Sequence, residues 1–335
     1  MVRFVTQRWF LLALAFVLFV GIIEWQSLAP LAAVRSLRNG IVASVLFLMA
    51  FPLQAGVVWA TFRRPWAPLL GFFINLGLLP LVAWGISSLV RPDTGAGLLV
   101  AAVTPCTLAS AAVWTRRAGG NDAAALMVTI LTNSACFLIT PLWLTAMLGS
   151  QAINSRIDAR GMITSLGLLV VAPMVVAQLL RLYQPLGAWA TRHSKSLSTV
   201  AQCGILAMVF LGAINTGRTL AQQSPEEAFG FWDWGVMIVA TLGLHLTLLA
   251  CGYGLAVLVG LVREDCIAVG IAGSQKTLMV GLQAALDCGL LILPMVVYHV
   301  GQLLVDTIIA DYWRRSGEGS ALAQTTASPA SDVSA

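Results

Sequence analysis

Gly270-Ile271-Ala272-Gly273-Ser274-Gln275-Lys276-Thr277 is the stretch that decides how this chain is read. Two glycines lead into four consecutive polar residues, one a lysine, inside an apolar run at 264–287. A run of about 20 apolar residues crosses a bilayer. A lysine at the centre of such a helix costs about 2.5–3.5 kcal/mol. Lys276 stands about eleven residues from either end of its run, roughly 16 Å at helical rise, too far for easy escape to the headgroups. In hydrocarbon a broken helix persists only where protein or a wet cavity surrounds the freed backbone.

Composition carries the same message to the whole chain. Of 335 residues, 59% are hydrophobic and only 10% charged, and the mean hydropathy is +0.87. Soluble domains average about 45–50% apolar and about 25% charged residues, so soluble enzymes, nucleic-acid binders and disulfide scaffolds are excluded as classes. Ten apolar spans can be marked: 9–28, 40–62, 66–90, 97–115, 121–149, 161–183, 196–217, 233–261, 264–287 and 288–312. Arg3 and Arg8 before an apolar stretch also fit a secretory signal, but its removal would leave nine spans and spoil the pairing of halves. Residues 316–335 are rich in Ser, Ala and Thr and are expected to form a disordered cytoplasmic tail.

Net charge +5 does not point to nucleic acid here, because the arginines fall between spans. With the N-terminus on side one, that side collects twelve Lys and Arg, among them Arg63, Arg64, Arg116, Arg117, Arg314 and Arg315. Side two collects six, including Arg35, Arg38 and Arg91. The asymmetry puts both termini in the cytoplasm, in a plasma (inner) membrane. Trp9, Trp25, Trp66, Trp84, Trp234 and Trp313 near span ends read as interfacial anchors. The six cysteines are dispersed, without metal-ligand spacing, and read as packing residues.

Ten spans divide into 1–155 and 156–315, two five-helix halves of opposite orientation, which is an inverted repeat. Asn75, Thr104-Pro105 and Thr129 shifted by 170 land on His245, Ser274-Gln275 and His299. Span 4 is interrupted as span 9 is, by Pro105 with Thr104, Thr107 and Ser110 beside it. Two interrupted spans in matching places are a pointer to a transporter's binding site. The candidate substrate- or ion-binding residues are therefore Lys276, Gln275, Ser274, Thr277, Thr104, Thr107, Ser110, Asn75, Thr132, Asn133 and His299. His299, Gln302 and Asp306 share a face of span 10, with Asp306 near its cytoplasmic end and open to a surface or a site role alike. His245 reads as a hydrogen-bonded core histidine. No nucleophile–base pair, HExxH or phosphate loop marks an enzyme.

Three motifs resemble the bile acid:sodium symporter family, and within it the sodium/bile acid cotransporter 7-like branch. Arg117-Ala118-Gly119-Gly120-Asn121-Asp122-Ala123-Ala124-Ala125 is similar to a G-G-N-[DE]-A-A-A stretch; Gly273-Ser274-Gln275-Lys276-Thr277-Leu278 to G-S-Q-K-[ST]-L; and Pro294 through His299 with Gln302-Leu303-Leu304 to a P-x-x-x-Y-H-x-x-Q-L start of the last helix. The resemblance runs from span 2 to Arg315. It implies an all-α polytopic membrane protein of ten helices in a five-plus-five inverted repeat, with a panel (spans 1, 2, 6, 7), a core (spans 3–5, 8–10) and two crossing discontinuous helices. Substrate would sit between panel and core.

Sodium-coupled relatives bear E-x-x-x-Q-N on the ninth helix and S-N on the fourth. Matching Gln275 to that glutamine puts Ile271 at the acidic position and Lys276 at the asparagine; Ser110 fits the serine, Ala111 replaces the asparagine, and Asn75 replaces a third-helix glutamine. A cation beside Lys276 would be repelled by about 4 kcal/mol at 4 Å and an effective dielectric of 20. Sodium is thus disfavoured as a cofactor and no other is expected. The expected function is secondary transport of a small organic anion across the lipid bilayer, Lys276 taking sodium's place and carrying a proton, or running as a uniporter. The competing readings are a sodium symporter with remodelled ligands (Thr107, Ser110, Thr132, Asn133, Gln275) and a non-transporting membrane regulator, since the branch is linked to calcium handling.

Overall fold

A computed structural model describes residues 2–54, 65–148, 158–222 and 229–327, with side chains within 9–316. Every regular element among them is a helix. Helix α1 (Val2–Ile23) bends by 102° into the short α2 (Trp25–Ala32), and α3 (Arg35–Ala50) follows. Next come α4 (Trp66–Ser87), α5 (Pro92–Val103), α6 (Ser110–Arg117) and α7 (Asp122–Leu148). The second half repeats the order: α8 (Ala159–Arg181), the short α9 (Gln184–Arg192), α10 (Ser194–Gln222), α11 (Phe231–Leu258), α12 (Arg263–Ser274), α13 (Leu278–Asp287) and α14 (Leu293–Ala327). Each half is thus a long helix, a short one, two more helices, a broken pair and a final long helix.

Six of these helices are long and apolar enough to cross a membrane unbroken, and the bent pair α1–α2 makes a seventh. The other three of the ten expected spans differ for identifiable reasons. Spans 4 and 9 are each split into half-helices, α5/α6 and α12/α13, too short to cross alone. Span 2 begins as α3, which stops at Ala50 just before Pro52, and residues 55–64 lie outside the described residues, as does the expected boundary at 155/156. Span 1 ends at Ile23 rather than residue 28. The last helix continues through Ala327, past Ser316 where a disordered tail was expected to start; residues 328–335 lie outside the described residues.

Packing divides the helices into two bodies. Helices α1, α3, α8 and α10 pack on one another as a panel; α4–α7 and α11–α14 form a core. Small residues set the close approaches. Gly217 of α10 lies against the Ile22 backbone and Gly21 of α1 against Ala213, while Gly252 and Gly270 bring α11 and α12 together. The polarity is inverted relative to a soluble protein. Phe16, Phe19, Leu168, Val239 and Ile308 are exposed, whereas Lys276, Asp306 and His245 are wholly buried. Only lipid around the outside reconciles the two.

A methyl group at Gly217 would overlap the Ile22 backbone, which no side-chain rotation relieves. Gly217→Ala is therefore expected to destabilise the purified protein by about 1–3 kcal/mol, the range for overpacking, seen as a lower thermal midpoint. Gly235→Ala, where a Cβ meets nothing within 4 Å, should not lower it.

Candidate functional site

The two breaks lie against each other. Pro105 holds Thr104 extended (ψ 156°), ending α5, and Gln275 and Thr277 are extended (ψ 142° and 128°) between α12 and α13. The strands of chain meet where Thr277 N–H donates to Pro105 O at 2.9 Å.

A broken helix frees carbonyls and amides that hydrocarbon cannot satisfy, and side chains take them up one by one. Asn75 Nδ2 donates to Ala272 O, Gly273 O and Gln275 O at 3.1, 3.2 and 2.9 Å, capping the end of α12. Tyr298 Oη donates to Ser274 O at 2.8 Å. Gln302 clamps the lysine backbone, accepting Lys276 N–H on Oε1 and donating Nε2 to Lys276 O, both at 2.8 Å. On the other break, Val103 O accepts from Thr140 (2.6 Å), Cys106 N–H donates to Thr132 Oγ1 (3.2 Å), and Cys106 O accepts from Asn133 Nδ2 (2.8 Å).

The Lys276 Nζ, fully buried, donates to Asn75 O (2.7 Å), Asn75 Oδ1 (3.1 Å) and Thr104 O (2.7 Å). Three acceptors match the three N–H groups of an ammonium. Asn75 O is available because Ile74–Leu78 is a π-helical turn in which Leu79 N–H reaches back to Ile74 O. In that register the next donor would be Pro80, which has none. Leu76 O, left over by the same proline, accepts Trp143 Nε1 at 2.7 Å.

Asp306 belongs to the crossing, not to a surface. It is wholly buried; Oδ2 accepts from Gln275 Nε2, and Oδ1 lies 3.0 Å from His245 Nε2. Gln275 Oε1 in turn accepts from Thr107 Oγ1 and Ser110 Oγ. A carboxylate missing at Ile271 is thus matched by one arriving from α14.

Beside the crossing, a cavity of about 280 Å³ opens between panel and core. Phe10, Met49, Ser198 and Gln202 line it from the panel; Thr107, Ser110, Thr277, Leu278 and His299 from the core. Helix α13 begins at this wall with no side chain capping its first N–H groups, while at the start of α6 Thr107 Oγ1 accepts from Ala111 N–H at 3.1 Å. Such helix starts attract anions. His299 Nδ1 lies between Gln302 Nε2, a donor at 2.9 Å, and Lys276 O, an acceptor at 3.1 Å. A neighbouring cavity shares Met49, Ala109, Val113 and Ser198 with this wall and reaches Arg116, Asp122 and Ser194, on the arginine-rich side. At the opposite end, Arg38 of the panel pairs with Asp287 of the core at 2.8 Å.

Of the residues singled out by sequence, Thr107, Ser110, Thr277 and His299 line the cavity. Thr104, Asn75, Ser274, Gln275 and Lys276 form the crossing behind it. Thr132 and Asn133 hold the backbone of the α5/α6 break. Sequence reasoning left Asp306 open between surface and site, gave His245 a core role, and missed Gln302, Tyr298 and Trp143 as members and the panel wall entirely. Around Lys276 the oxygens that would suit a cation are engaged, since Lys276 holds Asn75 O, Asn75 Oδ1 and Thr104 O and the Asn75 amide holds the α12 carbonyls; Asn133 Oδ1, buried at the α5/α6 break, has no partner. The oxygens around Lys276 are therefore taken, and among the described residues no three or more His, Cys, Asp and Glu side chains gather as metal ligands.

An all-α membrane protein with two broken helices crossing beside a cavity between two helical bodies has the architecture of a secondary transporter. The chain belongs to the SBF-like CPA transporter family, whose model matches residues 8–315. It is 26% identical to the probable sodium/metabolite cotransporter BASS4, chloroplastic, of Arabidopsis thaliana over 69% of this chain and 55% of that protein. It is 25% identical to the putative symporter YfeH of Escherichia coli over 71% of each chain. It is 22% identical to sodium/bile acid cotransporter 7 of Xenopus tropicalis over 71% of this chain and 66% of that one. The chain spans about half the length of the BASS4 relative. These likenesses agree with the resemblance drawn from the motifs.

Asn75→Ala removes the cap of α12 and one acceptor of Lys276 together. Each buried polar group left unpaired costs about 1–3 kcal/mol, so this variant is expected to lose more thermal stability than Thr145→Ala, whose hydroxyl only returns to its own helix at Pro141 O. Equal midpoints for the two would mean that Asn75 does not hold the crossing.

Proposed function

We propose that this chain is a secondary transporter that moves an organic anion by alternating access without sodium, the tethered Lys276 ammonium standing where relatives bind a coupling cation. The observation that carries the reading is the set of three neutral oxygens around Lys276 Nζ. A neutral amine would turn a lone pair toward one of them, so the geometry favours a permanent cation that travels with the protein over a lysine that loads and unloads a proton.

The anion's place is the cavity, where the uncapped start of α13 and the start of α6 converge with the His299 ring and the Thr277 hydroxyl. Phe10, Met49, Val113, Ile205 and Leu303 make the rest of the wall apolar. That combination suits an amphipathic molecule with one anionic group and a hydrophobic body. The neighbouring cavity that shares its wall and reaches the arginine-rich side, and the Arg38–Asp287 pair across the other end, support an inward-facing state. Both termini then lie in the cytoplasm and the protein in the plasma (inner) membrane, as the Lys and Arg distribution argues.

In proteoliposomes, counterflow of labelled organic anions, screened across carboxylates and bile acids, is expected to proceed undiminished when sodium is replaced by choline. Saturable stimulation by sodium overturns the reading. Lys276→Ala supplies the converse: its emptied oxygens should give the variant a sodium-dependent rise in thermal midpoint that the wild type lacks.

A further inference from the structure

His245 and Asp306 have no part in that reading, yet they form a fully buried titratable pair near the membrane's middle. His245 Nε2 lies 3.0 Å from Asp306 Oδ1, and Nδ1 lies 3.3 Å from Ser274 O, so both ring nitrogens face oxygens. A neutral imidazole has one N–H and one lone pair. Beside an ionised Asp306, it would set that lone pair against an oxygen whichever tautomer it took. The contacts are satisfied only when the pair holds two protons, one on Nδ1 toward Ser274 O and one between Nε2 and Oδ1. Written as imidazolium–carboxylate or imidazole–carboxylic acid, the pair is then neutral.

The groups facing it are accounted for. Tyr298 donates to the same Ser274 O, Lys276 is held by Asn75 and Thr104, and His299 is bonded to Gln302. Asp311 pairs with Arg117, Asp265 with Asn121 and Asp233 with Arg91, all toward helix ends.

We propose that His245 and Asp306 are the coupling-proton site, so that the anion moves in symport with one proton. This rests on the anion-transport reading above. A proton from water on one side adds to the pair and forms the Nε2–H–Oδ1 link; on the other side it returns to water and the link breaks. Nothing but the proton is exchanged. Asp306 Oδ2 accepts from Gln275, whose Oε1 accepts from Thr107 and Ser110 at the cavity wall. A neutral pair therefore favours an anion beside those hydroxyls, and a deprotonated one repels it, which makes proton and anion bind together.

The test uses full-length protein in sodium-free liposomes with taurocholate, whose sulfonate cannot carry a proton through lipid, and a pH dye in the lumen. An acidic exterior is expected to drive taurocholate accumulation with lumenal acidification in the wild type. His245→Gln keeps a donor to Asp306 but cannot titrate; it and Asp306→Asn should lose gradient-driven accumulation relative to the counterflow each retains. Wild-type counterflow that ignores the pH gradient overturns the proton site and leaves the transport reading standing. Absence of wild-type counterflow counts against that reading, and the site is then decided by 15N-histidine spectra in nanodiscs. Between the acidic and the alkaline pH of the two compartments, His245 should lose one hydrogen-bonded ring proton, with the transition abolished by Asp306→Asn. A His245 spectrum unchanged across that range overturns the proposal.

Discussion

Backbone satisfaction inside hydrocarbon is the constraint on which the rest of the molecule depends. A helix that stops mid-membrane exposes several carbonyls and amides, each worth several kcal/mol if left dry and unpaired. Two such stops lie side by side here, and the surrounding helices supply what they lack. Asn75 of α4 caps α12, Gln302 of α14 clamps Lys276, and Thr132, Asn133 and Thr140 of α7 service the α5/α6 break. The core helices are consequently bound to the crossing and to each other as one unit. The panel makes few of these bonds, so its packing on the core can change without breaking them.

Charge follows from the same arrangement. The amine of Lys276 is accommodated at this depth because carbonyl oxygens take the place of its water. One of its partners, Asn75 O, is free because a π-helical turn and a proline leave it without an intrahelical donor. The half-helix starts at α6 and α13 then add positive potential on the cavity side. Positive potential at the site thus comes from backbone dipoles beside Lys276, and on the other flank the Asp306 carboxyl meets His245 at 3.0 Å.

Much of this was legible along the chain, and the misses have physical causes. Pro105 and the Ser274-Gln275-Lys276-Thr277 run announce breaks because neither suits an unbroken apolar helix. Asp306 was placed too near a helix end because span 10 was started at 288. In fact Gly289, at φ 68°, ends the preceding helix, and α14 begins at Leu293 with its apolar stretch running to Ser316. That shift moves Asp306 toward the bilayer's middle. Thr132 and Asn133 carried the residue types of ligands but serve backbone, since chemical type does not say which way a helix faces. Ser198 and Gln202 gave no signal at all, polar residues being ordinary on a long helix.

The order of apolar runs, the excess of arginine on one side and the lysine stranded within a span determined that this is a many-helix membrane protein with a polar break at its heart, because hydrocarbon penalises charge and free backbone wherever they occur along the chain. Only the tertiary structure decided that Lys276 is wholly enclosed by oxygens of α4 and the α5/α6 break, that Asp306 meets His245, and that the open cavity is walled by hydroxyls and helix starts. Those are pairings between residues as much as two hundred positions apart, and which partner a buried polar group finds is set by packing in three dimensions.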